Sequence, residues 1–298
     1  MIFVTFESDD GLRLGVKSGK AVIDLARASE DPAGLDPGAP RTPAELFALG
    51  LGCVSRISRL LETLPAHEIG EPSYCLEEAS LVLGPPVPRP GKIICVGRNY
   101  REHAAEMDAD VPQEPLLFSK FGNAIVASGR AIDITGLTQV DYEAELAVVI
   151  GRRGKRIDES EALEHVFGYC NANDVSDRSL QYRSSQFLLG KSLDGFLPIG
   201  PYLMTADELS DPQDLPIRGW LNGELRQESH TSRMVFPVAF IVSYISRYMT
   251  LEPGDLILTG TPEGVIKGRE DGIWMQPGDE YVVEVGPLGR LSNRLVGD

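Results

Sequence analysis

Asp141-Tyr142-Glu143-Ala144-Glu145-Leu146-Ala147-Val148-Val149-Ile150-Gly151 reads as a strand with a β-branched, apolar body and an acidic head. Side chains alternate along a strand, so Glu143 and Glu145 share a face, with Cα atoms roughly 6.5–7 Å apart. Two like charges entering an apolar strand repel each other and resist desolvation unless positive charge lies between them. A divalent cation resolves that conflict. A solvated sheet edge, where both glutamates simply hydrate, resolves it as well, and the tripeptide alone does not choose.

The frame around this strand is a chain of 298 residues, enough for one large or two unequal domains with a sizeable core. With 31 Gly and 21 Pro, the composition fits a turn-rich protein with much β-structure. A net charge of −16 argues against nucleic acid or an anionic membrane as partner, and requires local positive charge wherever an anionic substrate binds. Cys53, Cys75, Cys95 and Cys170 are scattered without a C-x-x-C pair, and no apolar run suits a signal peptide or a membrane span. The expectation is a cytoplasmic protein with reduced thiols.

Residues 2–6, 12–16 and 21–25 read as short strands, with Asp9-Asp10-Gly11 as a turn. A Pro-, Gly- and Asp-rich loop spans 29–42. Thr42-Pro43 then opens a helix expected to run to about residue 64. His67, just beyond it, is expected at the surface rather than on a ligand. Four prolines within residues 85–90 break both helix and central strand, so a domain boundary is placed there: 1–88 in front, 89–298 behind.

After the connector, residues 92–97 read as a buried strand, and 101–107 as a short helix with His103 and Glu106 on one face. Such a pair can act as an acid–base dyad, the carboxylate orienting the imidazole, or can be an ordinary exposed helix pair. The acidic stretch 108–116 has the composition of a mobile loop. Asp158 and Glu161 suggest a capped helix carrying a structural His165. Residues 171–181 offer many oxygen donors where a strand gives way to a helix. Gly190-Lys191-Ser192 is not a phosphate loop, because the glycine required five residues earlier is Ser185; Lys191 nonetheless sits oddly among apolar residues.

Asn222-Gly223 signals a tight hairpin, and Pro237 opens an apolar helix with Phe240, Ile241, Tyr244, Ile245 and Tyr248 expected on its core face. The loop Thr259-Gly260-Thr261-Pro262 offers hydroxyls and backbone N–H groups to a carboxylate, or is a plain turn.

Taken in order, these motifs resemble the fumarylacetoacetate hydrolase family. They are Val96-Gly97-Arg98-Asn99-Tyr100 with His103 and Glu106, Asp141 to Leu146, Asn173-Asp174-Val175-Ser176, Gly190-Lys191-Ser192, Asn222-Gly223-Glu224, and the pair Pro253-Gly254-Asp255 and Thr259-Gly260-Thr261-Pro262. The likeness runs from Lys92 to the C-terminus, and the front segment is similar to the variable domain of larger members. It implies an α+β fold: a mixed β-roll or β-sandwich catalytic domain behind a small N-terminal α/β domain, in a homodimer. It also implies Mg²⁺ or Mn²⁺ on Glu143, Glu145 and Asp174, an oxygen-only set suited to a hard cation. His103, Glu106 and Lys191 take the catalytic positions, while Arg98, Gln181 and Thr261 are positioned to hold the substrate. Asp177 and Ser179 depart from the pattern, since many relatives carry Ala and Asp there.

Family members act on 2-oxo acids bearing a second carbonyl. The leading expectation is a hydrolase that cleaves an acylpyruvate into pyruvate and a carboxylic acid through a metal-stabilised enolate, with His103 and Glu106 activating water. The same enolate serves two alternatives, oxaloacetate decarboxylation and 2-hydroxymuconate-type or keto–enol isomerisation. A catalytically silent metal-binding protein is the option outside enzymology.

Overall fold

The computed structural model describes residues 1–32, 36, 38–65, 69–269 and 272–298. His67 and part of the 29–42 loop lie outside the described residues. Among the described residues, an eleven-stranded mixed sheet and a five-stranded sheet carry an α+β architecture. The helices are few and short, the longest being Val238–Tyr248.

The strand read first lies in the middle of the large sheet, though it is shorter than expected. It spans Ala144–Ile150, every residue buried, while Asp141 belongs to a separate two-residue pairing with Ser176. Its neighbours are Val166–Asn173, antiparallel with Glu145 opposite Ala172, and Leu256–Leu258. Both faces are covered. Leu146, Val148 and Ile150 join one core, and Ala147 and Val149 join another with Phe3, Ile57 and Phe167. Burial on both sides explains why the strand is apolar at every position after Glu145 rather than alternating.

The front strands extend this same sheet. Ile2–Ser8 pairs with Leu197–Thr205, so the sheet runs unbroken across the proline-rich connector at 84–91. Thr42 caps the following helix as its sequence suggests, its Oγ1 accepting from Glu45 N at 3.2 Å. That helix does not run on to residue 64. It stops at Leu49 and resumes at Val54, because Leu51 N–H turns to the Gly151 carbonyl just past the central strand.

The Asn222-Gly223 hairpin forms as expected between Pro216–Leu221 and Glu224–His230, with both turn residues at positive φ. The helix Val238–Tyr248 buries Ile241 and Ile245 as expected, but Val238 and Val242, with Ser243 and Ser246, complete its inward face in place of the aromatics. Phe236, Phe240, Tyr244 and Tyr248 instead form a row of ring contacts along its flank, and Tyr248 is largely exposed. Amphipathic aromatics tolerate such an edge position, and hydrophobicity alone ranks them as core. The helix expected near His165 is a 3₁₀ segment, Glu159–His165, and His165 is a half-buried residue whose Nδ1 meets the Arg152 carbonyl. No described helix is long and apolar enough to cross a membrane.

Candidate metal centre and active site

Glu143, Glu145 and Asp174 each place a carboxylate oxygen within 4.8 Å of the others, and all three are buried. Strand pairing builds the cluster. Ala144 lies opposite Asn173, so the residues flanking that pair meet: Asp174 N–H donates to the Glu143 carbonyl, and the Asn173 side chain accepts from Glu143 N.

Buried carboxylates need partners, and two of the three have them. Lys191 Nζ bridges Glu143 (2.8 Å) and Asp174 (2.7 Å). Arg178 forms an ion pair with Glu143 at 2.7 Å and donates to Asp141 at 2.8 Å. Lys120 Nζ, wholly enclosed, bonds the other Asp174 oxygen at 2.5 Å and the Val175 carbonyl at 3.1 Å. Burial opposes charge on Glu143, yet Lys191 and Arg178 outweigh it and hold the carboxyl down at about 2. Lys191 is likewise pushed up by Asp174 and Glu143 against its burial, and stays charged. For Lys120, burial prevails over Asp174 and draws the ammonium down.

Glu145 is the exception. Among the described residues its side chain has one hydrogen bond, from Gly260 N at 2.7 Å, and no ion pair. Burial, Asp174 and Glu143 push its carboxyl well above the ordinary range. A carboxylate without a cation, beside two others, is the unbalanced feature that a dication would balance, and an oxygen-only donor set suits a hard one. The residues present therefore fit a divalent metal at Glu143, Glu145 and Asp174.

A cavity of about 210 Å³ opens above this floor. Arg98, His103, Gln181, Lys191 and Thr261 line it together with Glu143 and Glu145. Asp174 lies beneath, behind Lys191 and Lys120, and Glu106 stands behind His103. The sequence-nominated residues thus gather in one place from six separate segments.

Each is placed by an identifiable device. Arg98 adopts φ of 56°, a left-handed conformation rare for a long side chain, and Asn99 secures it by bonding Phe236 through both amide atoms and the Thr259 carbonyl. His103 and Glu106 are neither an exposed pair nor an isolated one. His103 Nδ1 is 3.2 Å from Glu106 Oε2, and Glu106 Oε1 accepts from Gly264 N at 2.9 Å. Thr261 Oγ1 accepts from Gln227, and Gln181 accepts from Arg178 NH1.

Gly190 explains the false phosphate-loop signal. A Cβ there would sit 2.4 Å from Gln181 N and 2.5 Å from the Asp177 carbonyl, so only glycine lets the Lys191 turn press onto the turn Arg178–Gln181. Asp177 caps that turn, its Oδ1 accepting from Leu180 N and from the Ser179 hydroxyl. The two positions that depart from the family pattern therefore bond one another beside the site.

Sequence reasoning missed Lys120, Asp141 and Lys267. Lys120 lies in Phe118-Ser119-Lys120-Phe121, a stretch with no local sign of burial. Asp141 heads the acidic motif without any local sign of its role: it accepts from Ile266 N and Lys267 N and pairs with Arg178.

A mixed sheet carrying three converging carboxylates, a His–Glu pair and a buried lysine defines a family, and the chain belongs to the fumarylacetoacetate hydrolase family. The family model described as Fumarylacetoacetate (FAA) hydrolase C-terminal matches residues 92–296. Among individual relatives, the chain is 41% identical over 292 residues to bovine (Bos taurus) "Oxaloacetate tautomerase FAHD2B, mitochondrial", covering 96% of this chain and 88% of that protein. It is 38% identical over 305 residues to "Oxaloacetate tautomerase YisK" of Bacillus subtilis, covering 99% of this chain and all of that one. The solved structure of maleylpyruvate hydrolase from Sphingobium sp. SYK-6, in complex with manganese(II) and pyruvate, superposes with a TM-score of 0.78 at 29% identity, covering 100% of this chain and 99% of that one. These relatives are enzymes of the family, and the tautomerases favour the oxaloacetate alternative over the acylpyruvate hydrolysis that leads the sequence expectations.

Proposed function

We propose that the chain interconverts the keto and enol forms of oxaloacetate, with Mg²⁺ or Mn²⁺ held by Glu143, Glu145 and Asp174. The observation that carries this reading is the juxtaposition in one small cavity of the His103–Glu106 pair and the carboxylate floor, in a chain aligned end to end with an oxaloacetate tautomerase. When bound, the dication supplies a Lewis acid for negative charge on the oxygens of a 2-oxo acid.

The chain's own residues supply the proton path. With Nδ1 tied to Glu106, the His103 imidazole has Nε2 left for the substrate. That nitrogen takes a proton from C3; the C3–H electron pair becomes the C2=C3 bond, and the C2 carbonyl pair moves onto oxygen. The imidazolium then returns the proton to that oxygen, giving the enol with no net change in atoms. Glu106 fixes the ring and stabilises the imidazolium, as the orienting carboxylate of a catalytic pair does. Lys191 keeps positive charge at the wall where the oxygen gains electrons. Arg98, which makes no ion pair among the described residues, offers a guanidinium to the carboxylate of C1. The proposal retains a homodimer, on the family's habit.

The test follows enol-oxaloacetate absorbance with the metal-loaded protein, while coupled lactate dehydrogenase reports pyruvate. Accelerated enol decay without pyruvate is expected. Pyruvate released in step with oxaloacetate loss means decarboxylation, and activity confined to acylpyruvates returns the hydrolase reading that the maleylpyruvate hydrolase likeness favours.

Gly268 provides a local check on the dyad. A Cβ there would lie 1.9 Å from Glu106 Cγ, and Glu106 is held at the same loop by Gly264 N. Gly268→Ala must therefore displace Glu106. Turnover is expected to fall by about 10–100-fold with KM little changed, since small misplacements of catalytic groups cost that much. Steady-state kinetics checks it, and an unaltered kcat would show that Glu106 need not stand where it does.

A further inference from the structure

The cations around the cavity are not equivalent. Lys120, Lys191 and Arg178 are fully engaged by Asp141, Glu143 and Asp174. Two others line the cavity without an ion pair among the described residues, Arg98 and Lys267. Lys267 is exposed, unlike the buried lysines of the floor. Its Nζ lies 5.5 Å from the centre of the Tyr182 ring, which also lines the cavity, a cation–π distance that orients the ammonium without neutralising it. Its backbone is fixed to the floor, because Ile266 N and Lys267 N donate to Asp141 at 2.8 and 3.0 Å, and Asp141 is the partner of Arg178.

A positive charge on the cavity lining that no carboxylate neutralises among the described residues, in a protein of net charge −16, has a use only if a second anionic group of the ligand reaches it. We propose that Lys267 determines specificity for 2-oxo dicarboxylic acids by pairing with the distal carboxylate, while the 2-oxo acid head occupies the floor. This rests on the reading that the substrate is such a diacid. Tyr182 serves as the platform that keeps the ammonium at the cavity mouth before ligand arrives.

The experiment measures equilibrium binding to the Mg²⁺-loaded protein of two probes. Oxalate has the head alone, and 3,3-difluoro-oxaloacetate has head and distal carboxylate but no C3 proton to lose. Lys267→Met keeps the stem and removes the charge. Its expected effect is a rise of about tenfold in Kd for the difluoro diacid, the scale of one charge-assisted hydrogen bond, with oxalate affinity unchanged. Retained oxalate binding also shows that the variant is folded. Equal loss for both probes, no loss for either, or no binding of the diacid by the wild-type protein would overturn the assignment. If the wild-type protein fails to speed enol decay while the diacid-selective loss is observed, the tautomerase reading falls and the role of Lys267 stands.

Discussion

Glu145→Gln abolishes tight Mn²⁺ binding while leaving the fold intact: that is the largest effect expected of any single substitution. Among the three carboxylates, Glu143 and Asp174 are already paired with Lys191, Arg178 and Lys120, and Glu145 alone has no cation among the described residues. Removing its charge therefore removes the main electrostatic reason for a dication to enter. Loss of an outer hydrogen-bonding partner typically weakens metal sites by roughly 10–100-fold, and loss of a ligand exceeds that. Glutamine preserves the shape and the acceptor for Gly260 N–H, and it replaces a carboxyl that burial, Asp174 and Glu143 already push well above the ordinary range, so metal-free protein should be about as stable as wild type. Calorimetric titration with Mn²⁺ and thermal unfolding without metal measure the two halves separately. Wild-type affinity in the variant would sink the ligand assignment, and chelator-treated wild-type protein should match the variant in activity.

His103→Ala should lower kcat by about 10²–10⁴-fold, the usual worth of a positioned acid–base group, with oxalate affinity nearly unchanged. The separation follows from the geometry. His103 reaches the cavity from the helix Arg101–Glu106 and, among the described residues, its side chain bonds only Glu106, whereas the carboxylate floor is tied together by strand pairing, Lys191 and Arg178. Losing the imidazole leaves that floor intact. Lys191→Ala is the contrasting variant: it strips a cation from both Glu143 and Asp174, so binding and turnover should fall together. The readouts are kcat and the oxalate inhibition constant for each. Wild-type turnover in His103→Ala would remove the imidazole from the proton path.

Much of the candidate site is legible in the sequence. Glu143 and Glu145 stood out because like charges at strand spacing in an apolar run carry a cost that asks for an explanation. His103 and Glu106 were visible through their helical spacing, and Lys191 through its apolar company. Motif order then joined Asp174, Arg98, Gln181 and Thr261 to them. Lys120 was invisible: nothing near it in sequence predicts that a lysine after an edge strand is enclosed, since its burial is the work of Asp174, more than fifty residues away. Lys267 was hidden for the opposite reason, being an ordinary exposed lysine until the loop that carries it is anchored on Asp141.

What the sequence determined by itself is local: the apolar strand headed by Glu143 and Glu145, the Asn222-Gly223 hairpin, the Thr42 cap, and the identity of the chemical groups. These follow from side-chain alternation, turn sterics and capping, which act within a few residues. Tertiary structure alone decided which charges neutralise one another. It paired Arg178 with Asp141 and Glu143, seated Lys191 between Glu143 and Asp174, and left Glu145 without a cation among the described residues and Arg98 and Lys267 lining the cavity. Coulombic balance in a desolvated site depends on distances of a few ångströms between segments remote in the chain, and only their packing sets those distances.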